Sequence, residues 1–169
     1  MKINFKNLLI VFLSTFLIFL LVNKKENTYT NLDELEITYI DVGQGNAVLV
    51  KTNDKSLLID GGNRTNSRYY YTYIKNENLK KIDYMIASHY DEDHIAGLIS
   101  ILKNYDVAKV LCPDYKKNTK IYDSFTRSLN NSKAKIIHPK QGDNFNLGKA
   151  KVKILWPKEY KNDKDNDNS

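Results

Sequence analysis

Residues 88 to 97 read SHYDEDHIAG and follow directly on an apolar run, IDYMIA (82 to 87), with the composition of a buried β-strand. Four potential metal ligands crowd this stretch: His89, Asp91, Asp93 and His94. The first two are two residues apart, so both can project to one side of an extended chain. The other two stand where the chain turns into a helical pattern. Two of the three histidines in the chain thus fall in one hexapeptide.

This mixture of imidazole and carboxylate suits zinc, manganese or iron, and four such groups can serve two adjacent ions. Two ions can activate water and clamp both oxygens of a displaced phosphoester. One cysteine excludes a disulfide scaffold and a Cys-based zinc finger. A simpler interpretation is a loop that caps the next helix through Asp93, although a cap needs one acid rather than three.

Two upstream motifs add to the predicted site. DVGQGN (41 to 46) ends one strand and opens the next, with glycines that permit a tight hairpin. LLIDGG (57 to 62) places Asp60 at the end of another strand, where its carboxylate can orient a ligating imidazole. Taken alone, the second motif is an ordinary Asp-Gly turn.

DVGQGNAVLV, LLIDGG and SHYDEDHIAGL, in this order and spacing, resemble the motifs of metallo-β-lactamase-fold hydrolases, most closely the extracellular domain of the ComEC family of DNA-uptake proteins. The resemblance runs from about residue 36 to the end of the chain. It implies the α/β class and an αββα sandwich with a dinuclear metal site at the sheet edges, of which this chain carries the N-terminal part.

The resemblance also implies roles for individual residues. His89 and Asp91 match positions that bind the first metal, and Asp93 and His94 match the pair that binds the second. Asp93 is also the expected catalytic residue, near the attacking water. The expected cofactors are two divalent ions, zinc or manganese, and the carboxylate of Asp91 in place of the more usual His favours manganese.

Family members continue through a strand that ends in Thr-Gly-Asp and a later His-His-Gly-Ser segment, which supply a bridging Asp and another His ligand. Neither segment is found here before Ser169. We therefore expect a C-terminally truncated domain with an incomplete second metal site.

The leading functional hypothesis is a ComEC-like metallo-hydrolase that cleaves phosphodiester bonds of DNA outside the cell. A second is a cell-wall phosphodiesterase of the teichoic-acid phosphorylcholine esterase type, and a third is a non-catalytic truncated remnant. A fourth, a DNA-binding receptor without hydrolysis, depends on three lysines that alternate along one strand face: Lys149, Lys151 and Lys153.

The first 25 residues are interpreted as a signal anchor or signal peptide. Residues 8 to 22 are almost entirely apolar, and no small residues follow to favour cleavage. Residues 26 to 35 are a predicted tether, and residues 36 to 169 are the predicted domain. The expected location is an extracellular domain anchored in the membrane through residues 8 to 22, or a secreted protein. No protein partner is predicted.

The net charge of +6 is unevenly distributed over the 169 residues. Residues 1 to 25 contribute +4, and residues 107 to 158 hold 12 bases against 3 acids. The second segment can attract DNA or an anionic cell-wall polymer. A solvated lysine face is the alternative interpretation.

Alternating and apolar runs predict seven strands within residues 36–42, 47–52, 56–62, 82–88, 108–113, 133–139 and 149–157. Helices are predicted over 67–78, 95–104 and 120–130. Strands with intervening helices indicate a layered α/β architecture.

Overall fold

The computed structural model describes residues 12–16 and 35–157. The chain divides into two compact units, Met1–Leu32 and Asp33–Ser169. In the first unit, residues 12–16 are helical. Within the described ranges, no helix combines the length and apolar character needed to cross a bilayer. Most of the predicted anchor and tether lies outside the described residues, so both stay predictions.

The second unit alternates strands and helices over residues 35–157, as the sequence predicts. Its strands are β1 (Glu36–Tyr39), β2 (Val48–Lys51), β3 (Ser56–Ile59), β4 (Ile82–Ile86), β5 (Val107–Leu111), β6 (Lys135–Ile137), β7 (Asn144–Leu147) and β8 (Ala150–Lys153). Its helices are α1 (Ser67–Asn76), α2 (Glu92–Asn104) and α3 (Lys120–Asn131).

Strands β1 to β6 form one sheet in sequence order. The first three strands are antiparallel, whereas β3, β4, β5 and β6 are parallel. Each parallel step is made through one helix, as parallel neighbours require a long crossover. Consequently, the carboxyl ends of β3 to β6 share one edge of the sheet.

The helices cover one face of this sheet. Leu49, Leu58, Met85 and Val110 form a row across four neighbouring strands, and all four side chains are completely buried. The same apolar cluster includes buried side chains from all three helices. Burying one such side chain stabilises the fold by about 1.5–3 kcal/mol, so this layer holds the strand ends at fixed positions.

The opposite face of the sheet packs against a second, two-stranded sheet formed by β7 and β8. The rings of Tyr84 and Phe145 stack across the two layers with centroids 4.2 Å apart, and Leu147 is fully buried. The α/β class and the layered order of the predicted sandwich are therefore confirmed. Strand β7 was not among the predicted strands, because its sequence, NFNL, has only two apolar residues.

Helix α2 begins earlier than the sequence pattern predicts, at Glu92 rather than residue 95. Asp91 is its N-cap residue in extended conformation. Asp93 and His94 therefore lie in the first helical turn, which directs both side chains back toward the edge of the sheet.

Candidate metal centre

The site lies at the carboxyl ends of β3 and β4, which are parallel neighbours. Asp60 follows β3, and Ser88 and His89 follow β4. The Asp60 backbone N–H donates to the Ile86 carbonyl at 2.9 Å, which extends the strand pairing up to the site. The topology thus brings together residues that are almost thirty positions apart in sequence.

Asp60 is the most connected side chain of the site and is only 1% exposed. Its Oδ1 accepts the Ser88 backbone N–H at 2.8 Å. Its Oδ2 accepts the Ser88 hydroxyl at 2.7 Å and the Asn46 side-chain amide at 3.3 Å, and it lies 2.8 Å from Nδ1 of His94. The backbone of Asp60 has φ of 57°, an unusual value for a residue other than glycine. The predicted positioning residue Asp60 thus contacts the imidazole of His94 directly.

These contacts fix the tautomers of both histidines in their neutral form. A hydroxyl has one proton, and Ser88 donates it to Asp60, so the Ser88 oxygen accepts from Nδ1 of His89 at 3.0 Å. Nδ1 of His94 lies against a carboxylate oxygen and likewise carries a proton. In both rings the Nε2 nitrogen is then left with the lone pair that a metal ligand needs.

Each Nε2 atom lies near one carboxylate. The Nε2 of His89 is 3.4 Å from Oδ2 of Asp91, and the Nε2 of His94 is 3.9 Å from Oδ2 of Asp93. The two imidazole rings are adjacent, with centroids 3.9 Å apart. The four predicted ligands therefore lie as two neighbouring His–Asp pairs.

The fit of these groups to a metal ion can be tested by distance. Two ligands bound at about 2.1 Å in tetrahedral geometry are about 3.4 Å apart, and the His89–Asp91 separation has that value. The donor types of both pairs and the spacing of the His89–Asp91 pair fit a divalent ion, whereas the 3.9 Å between His94 and Asp93 is wider than this geometry. Nevertheless, within residues 12–16 and 35–157 no three or more His, Cys, Asp or Glu side chains are grouped closely enough to hold one.

Asp91 also forms an ion pair with Lys117, which lies in the loop between β5 and α3. The Asp91 side chain makes no capping hydrogen bond to α2, although it occupies the N-cap position. The interpretation of the acidic loop as a cap formed through Asp93 is therefore wrong. Asp93 is instead the second residue of the first helical turn.

The charge of the site raises the pKa of His94. Burial alone would lower this pKa, but the hydrogen bond to Asp60 and the negative charges of Asp60, Asp93 and Asp91 outweigh it. The surroundings are thus electronegative, as a cation site requires.

Close backbone approaches hold the site together. A Cβ at Gly45 would meet the Asp93 carbonyl at 1.9 Å, and a Cβ at Gly97 would meet the Gly61 carbonyl at 2.0 Å. The Gly61 N–H donates to the His94 carbonyl at 2.7 Å. Only glycine allows both upstream motifs to contact α2 so closely.

Two residues of the site were missed by the sequence analysis. Ser88 lies within the quoted motif, but a serine beside a histidine carries no specific signal. Lys117 is one of many lysines in a basic segment, and nothing in its local sequence relates it to Asp91. Asn46 ends the DVGQGN motif, which was interpreted only as a hairpin; its side-chain amide donates to Asp60.

Comparisons with known proteins agree with this geometry. Residues 40–151 match the sequence profile of the Metallo-beta-lactamase superfamily. Over 96 residues the chain is 31% identical to Recombination protein 2 of Haemophilus influenzae. That match covers 53% of this chain and 12% of the relative.

The fold is also similar to those of solved metallo-β-lactamases. A Cronobacter sakazakii enzyme with a HARLDQ motif is 15% identical with a TM-score of 0.53, covering 70% of this chain and 49% of its own. The subclass B3 enzyme BJP-1 of Bradyrhizobium japonicum is 18% identical with a TM-score of 0.51, covering 72% and 49%. The chain thus spans about half the length of these structures. At such identities the likeness concerns the fold alone. The profile match, however, covers more than half of the chain, and the chain therefore belongs to the metallo-β-lactamase superfamily.

Proposed function

We propose that the chain forms part of a ComEC-like, metal-dependent hydrolase that cleaves phosphodiester bonds of DNA outside the cell. The observation that carries this proposal is the Asp60–Ser88 pair, which fixes Nδ1 of both histidines. Because their Nδ1 atoms are occupied, His89 and His94 present Nε2 beside Asp91 and Asp93. This arrangement is suited to binding cations and has no evident purpose in a site that only stabilises the fold.

His89 and Asp91 would hold one divalent ion, zinc or manganese, and Asp93 and His94 would contribute to a second. When bound, such ions polarise a phosphoryl oxygen and activate water. The second ion would need further ligands, because the four groups form two pairs rather than a closed cage.

The remaining chemistry belongs to the residues of the chain. The carboxylate of Asp93 is 29% exposed and faces His94, so it can accept a proton from an attacking water. Asp60 is buried and hydrogen-bonded, and its role is to keep His94 in one tautomer and one orientation. Asp93 is thus the proposed catalytic residue and Asp60 a positioning residue.

DNA as the substrate is supported by the match to Recombination protein 2, since recombination is a process of DNA. The basic segment 107–158 offers cations for a phosphate backbone. We further propose that residues 8–22 anchor the chain in a membrane and that the domain lies outside the cell.

Hydrolysis assays on the full chain test the proposed function. With Zn²⁺ or Mn²⁺ added, we expect cleavage of bis(para-nitrophenyl) phosphate and of single-stranded DNA. We expect none of a chromogenic β-lactam, and loss of the phosphodiesterase activity in Asp93→Asn. Cleavage of the β-lactam alone, or of a teichoic-acid phosphodiester alone, would contradict it.

The second candidate is a non-catalytic domain. It is favoured by the finding that the described residues contain no group of three or more ligands placed to hold a metal. This candidate predicts that the correctly folded chain cleaves no phosphodiester, whichever divalent ion is added.

A further inference from the structure

An open cleft of about 630 Å³ adjoins the candidate metal centre. Its lining includes Asp91, so it opens directly onto a predicted ligand. The other charged residues of the lining are Arg64, Glu92, Lys117 and Lys120. Its volume falls within the range of roughly 300–1,000 Å³ typical of ligand sites.

The charges of this cleft favour an anion. Three cations face two carboxylates, and each carboxylate is met by a cation: Arg64 lies 3.8 Å from Glu92, and Lys117 pairs with Asp91. Lys120 adds a further positive charge at the start of α3. A metal bound by Asp91 would make the cleft more positive still.

The position of Lys117 is fixed by packing. Tyr115, two residues earlier, is buried and meets the ring of Tyr90 edge-on at 5.0 Å. Tyr90 stands between His89 and Asp91, and its hydroxyl donates to the Pro113 carbonyl at 2.6 Å. The Lys117 side chain is 24% exposed. Lys117 is therefore held beside residues 89–91, which lie between β4 and α2.

The start of α3 fixes the other end of the same segment. Thr119, which also lines the cleft, accepts the Tyr122 backbone N–H on its hydroxyl at 3.3 Å. The ring of Tyr122 meets Tyr90 edge-on at 4.8 Å. One aromatic cluster thus positions the segment that carries Lys117 and Lys120.

We propose that this cleft is the groove along which a nucleic-acid strand reaches the candidate metal centre, with Lys117 and Lys120 contacting its phosphates. This inference rests on the proposed function for its choice of polymer. It differs from the receptor hypothesis, which places DNA on Lys149, Lys151 and Lys153. Lys149 lies in the turn before β8 rather than on the strand. Lys151 and Lys153 lie on the exposed side of β8, whereas Val152 and Ile154 pack against the main sheet.

The groove is tested by measuring how a short single-stranded oligonucleotide binds to the full chain. The oligonucleotide carries fluorescein, and its anisotropy is measured in EDTA over a range of salt concentrations. The cleft variant is Lys117→Ser with Lys120→Ser, and the matched control is Lys151→Ser with Lys153→Ser, which removes the same charge. A third variant, Lys117→Arg with Lys120→Arg, keeps the charge. Circular dichroism checks that each variant is folded. If the double cleft variant is not folded, Lys120→Ser alone replaces it.

We expect the cleft variant to bind the oligonucleotide more weakly. The slope of log K, the binding constant, against log salt is negative, and its magnitude should fall by roughly 0.7 for each lost phosphate contact. The β8 variant and the arginine variant should keep the slope of the parent chain. An equal loss in the cleft and β8 variants would mean diffuse attraction and would overturn the groove, as would an unchanged cleft variant. Preferential displacement of the oligonucleotide by poly(glycerol phosphate) would overturn the assignment to nucleic acid.

The assay excludes metal and turnover, so its outcome is separable from that of the hydrolysis assay. A chain that binds through the cleft but cleaves no phosphodiester refutes the proposed function and retains the groove. If the chain cleaves DNA but the cleft variant binds the oligonucleotide as tightly as the parent does, the groove is refuted and the proposed function is retained.

Discussion

The Nδ1 atom of His94 lies 2.8 Å from Oδ2 of Asp60, a carboxylate that is buried and also binds the hydroxyl of Ser88. This contact joins the end of β3 to the first turn of α2. It determines which nitrogen of His94 faces Asp93. Through the hydroxyl of Ser88, the same carboxylate determines which nitrogen of His89 faces Asp91. One buried carboxylate thereby sets the orientation of both predicted imidazole ligands.

Replacement of Asp60 by Asn should weaken metal binding by about 10- to 100-fold, the usual effect of removing a group that orients a ligand. The amide can present its NH₂ to Nδ1 of His94 and so favour the wrong tautomer. Calorimetric titration of the full chain with Zn²⁺ or Mn²⁺ measures the change. Asp41→Asn, at an exposed position of the neighbouring loop, is the matched control. Equal affinities in both variants would contradict the role of Asp60.

Ser88→Ala should also weaken metal binding, because the serine hydroxyl connects Asp60 to Nδ1 of His89. Since both residues act in one hydrogen-bond network, their effects should be less than additive when combined with Asp60→Asn. A double-mutant cycle on metal affinity measures the coupling. Strict additivity of the two losses would show that Ser88 and Asp60 act independently.

Gly97→Ala should destabilise the fold by about 1–3 kcal/mol through overpacking, although alanine is usually the better helix former. A Cβ at this position would lie 2.0 Å from the Gly61 carbonyl and 2.7 Å from the Tyr70 ring. Urea unfolding gives the free energy. At Gly142 an added Cβ meets nothing within 4 Å but φ is +93°, so Gly142→Ala measures the cost of backbone strain without a clash, a strain that Gly97 does not have. A Gly97→Ala chain as stable as the parent would mean that the contact between the 61–62 loop and α2 is loose.

Asp83→Asn should lower stability by about 1–3 kcal/mol near neutral pH, because its charge-assisted hydrogen bonds are lost. Burial would raise the pKa of Asp83, but the Ser56 N–H, Lys81 and Lys55 lower it below its ordinary value of 3.8. A lowered folded-state pKa contributes stability that is present above the unfolded value and is lost as pH falls through the folded value.

The parent chain and the Asp83→Asn variant should therefore differ most above about pH 5 and converge in acid. Denaturant unfolding at a series of pH values tests this, with the exposed Asp54→Asn as control. A difference that persists unchanged into acid would show that the ion pairs with Lys55 and Lys81 contribute little.

Much of the site was predictable because its residues lie in short, strongly patterned segments. The apolar run before His89 predicts a buried strand, and two ligands spaced two apart at a strand end predict a shared direction. Asp60 was predictable by the same reasoning at the end of β3. The start of α2 was placed three residues late, since the polar first turn hides its helical period.

The contacts of Ser88, Lys117 and strand β7 were not predictable from local pattern. The first depends on a hydroxyl proton whose direction only Asp60 decides. The second joins residues 26 positions apart across two loops. Strand β7 is defined by pairing with β8 and by Phe145 stacking on Tyr84, and neither interaction is encoded in the four residues NFNL.

The assignment of a metal centre is tested by the metal content of the full chain. This is measured by mass spectrometry after equilibration with Zn²⁺ or Mn²⁺ and removal of excess ions. The reference is the variant with His89→Ala and His94→Ala. We expect at least one tightly held ion per chain in the parent and none in the variant. Equal metal content in the two chains, or none in either, would contradict the assignment of His89, Asp91, Asp93 and His94 as a metal centre.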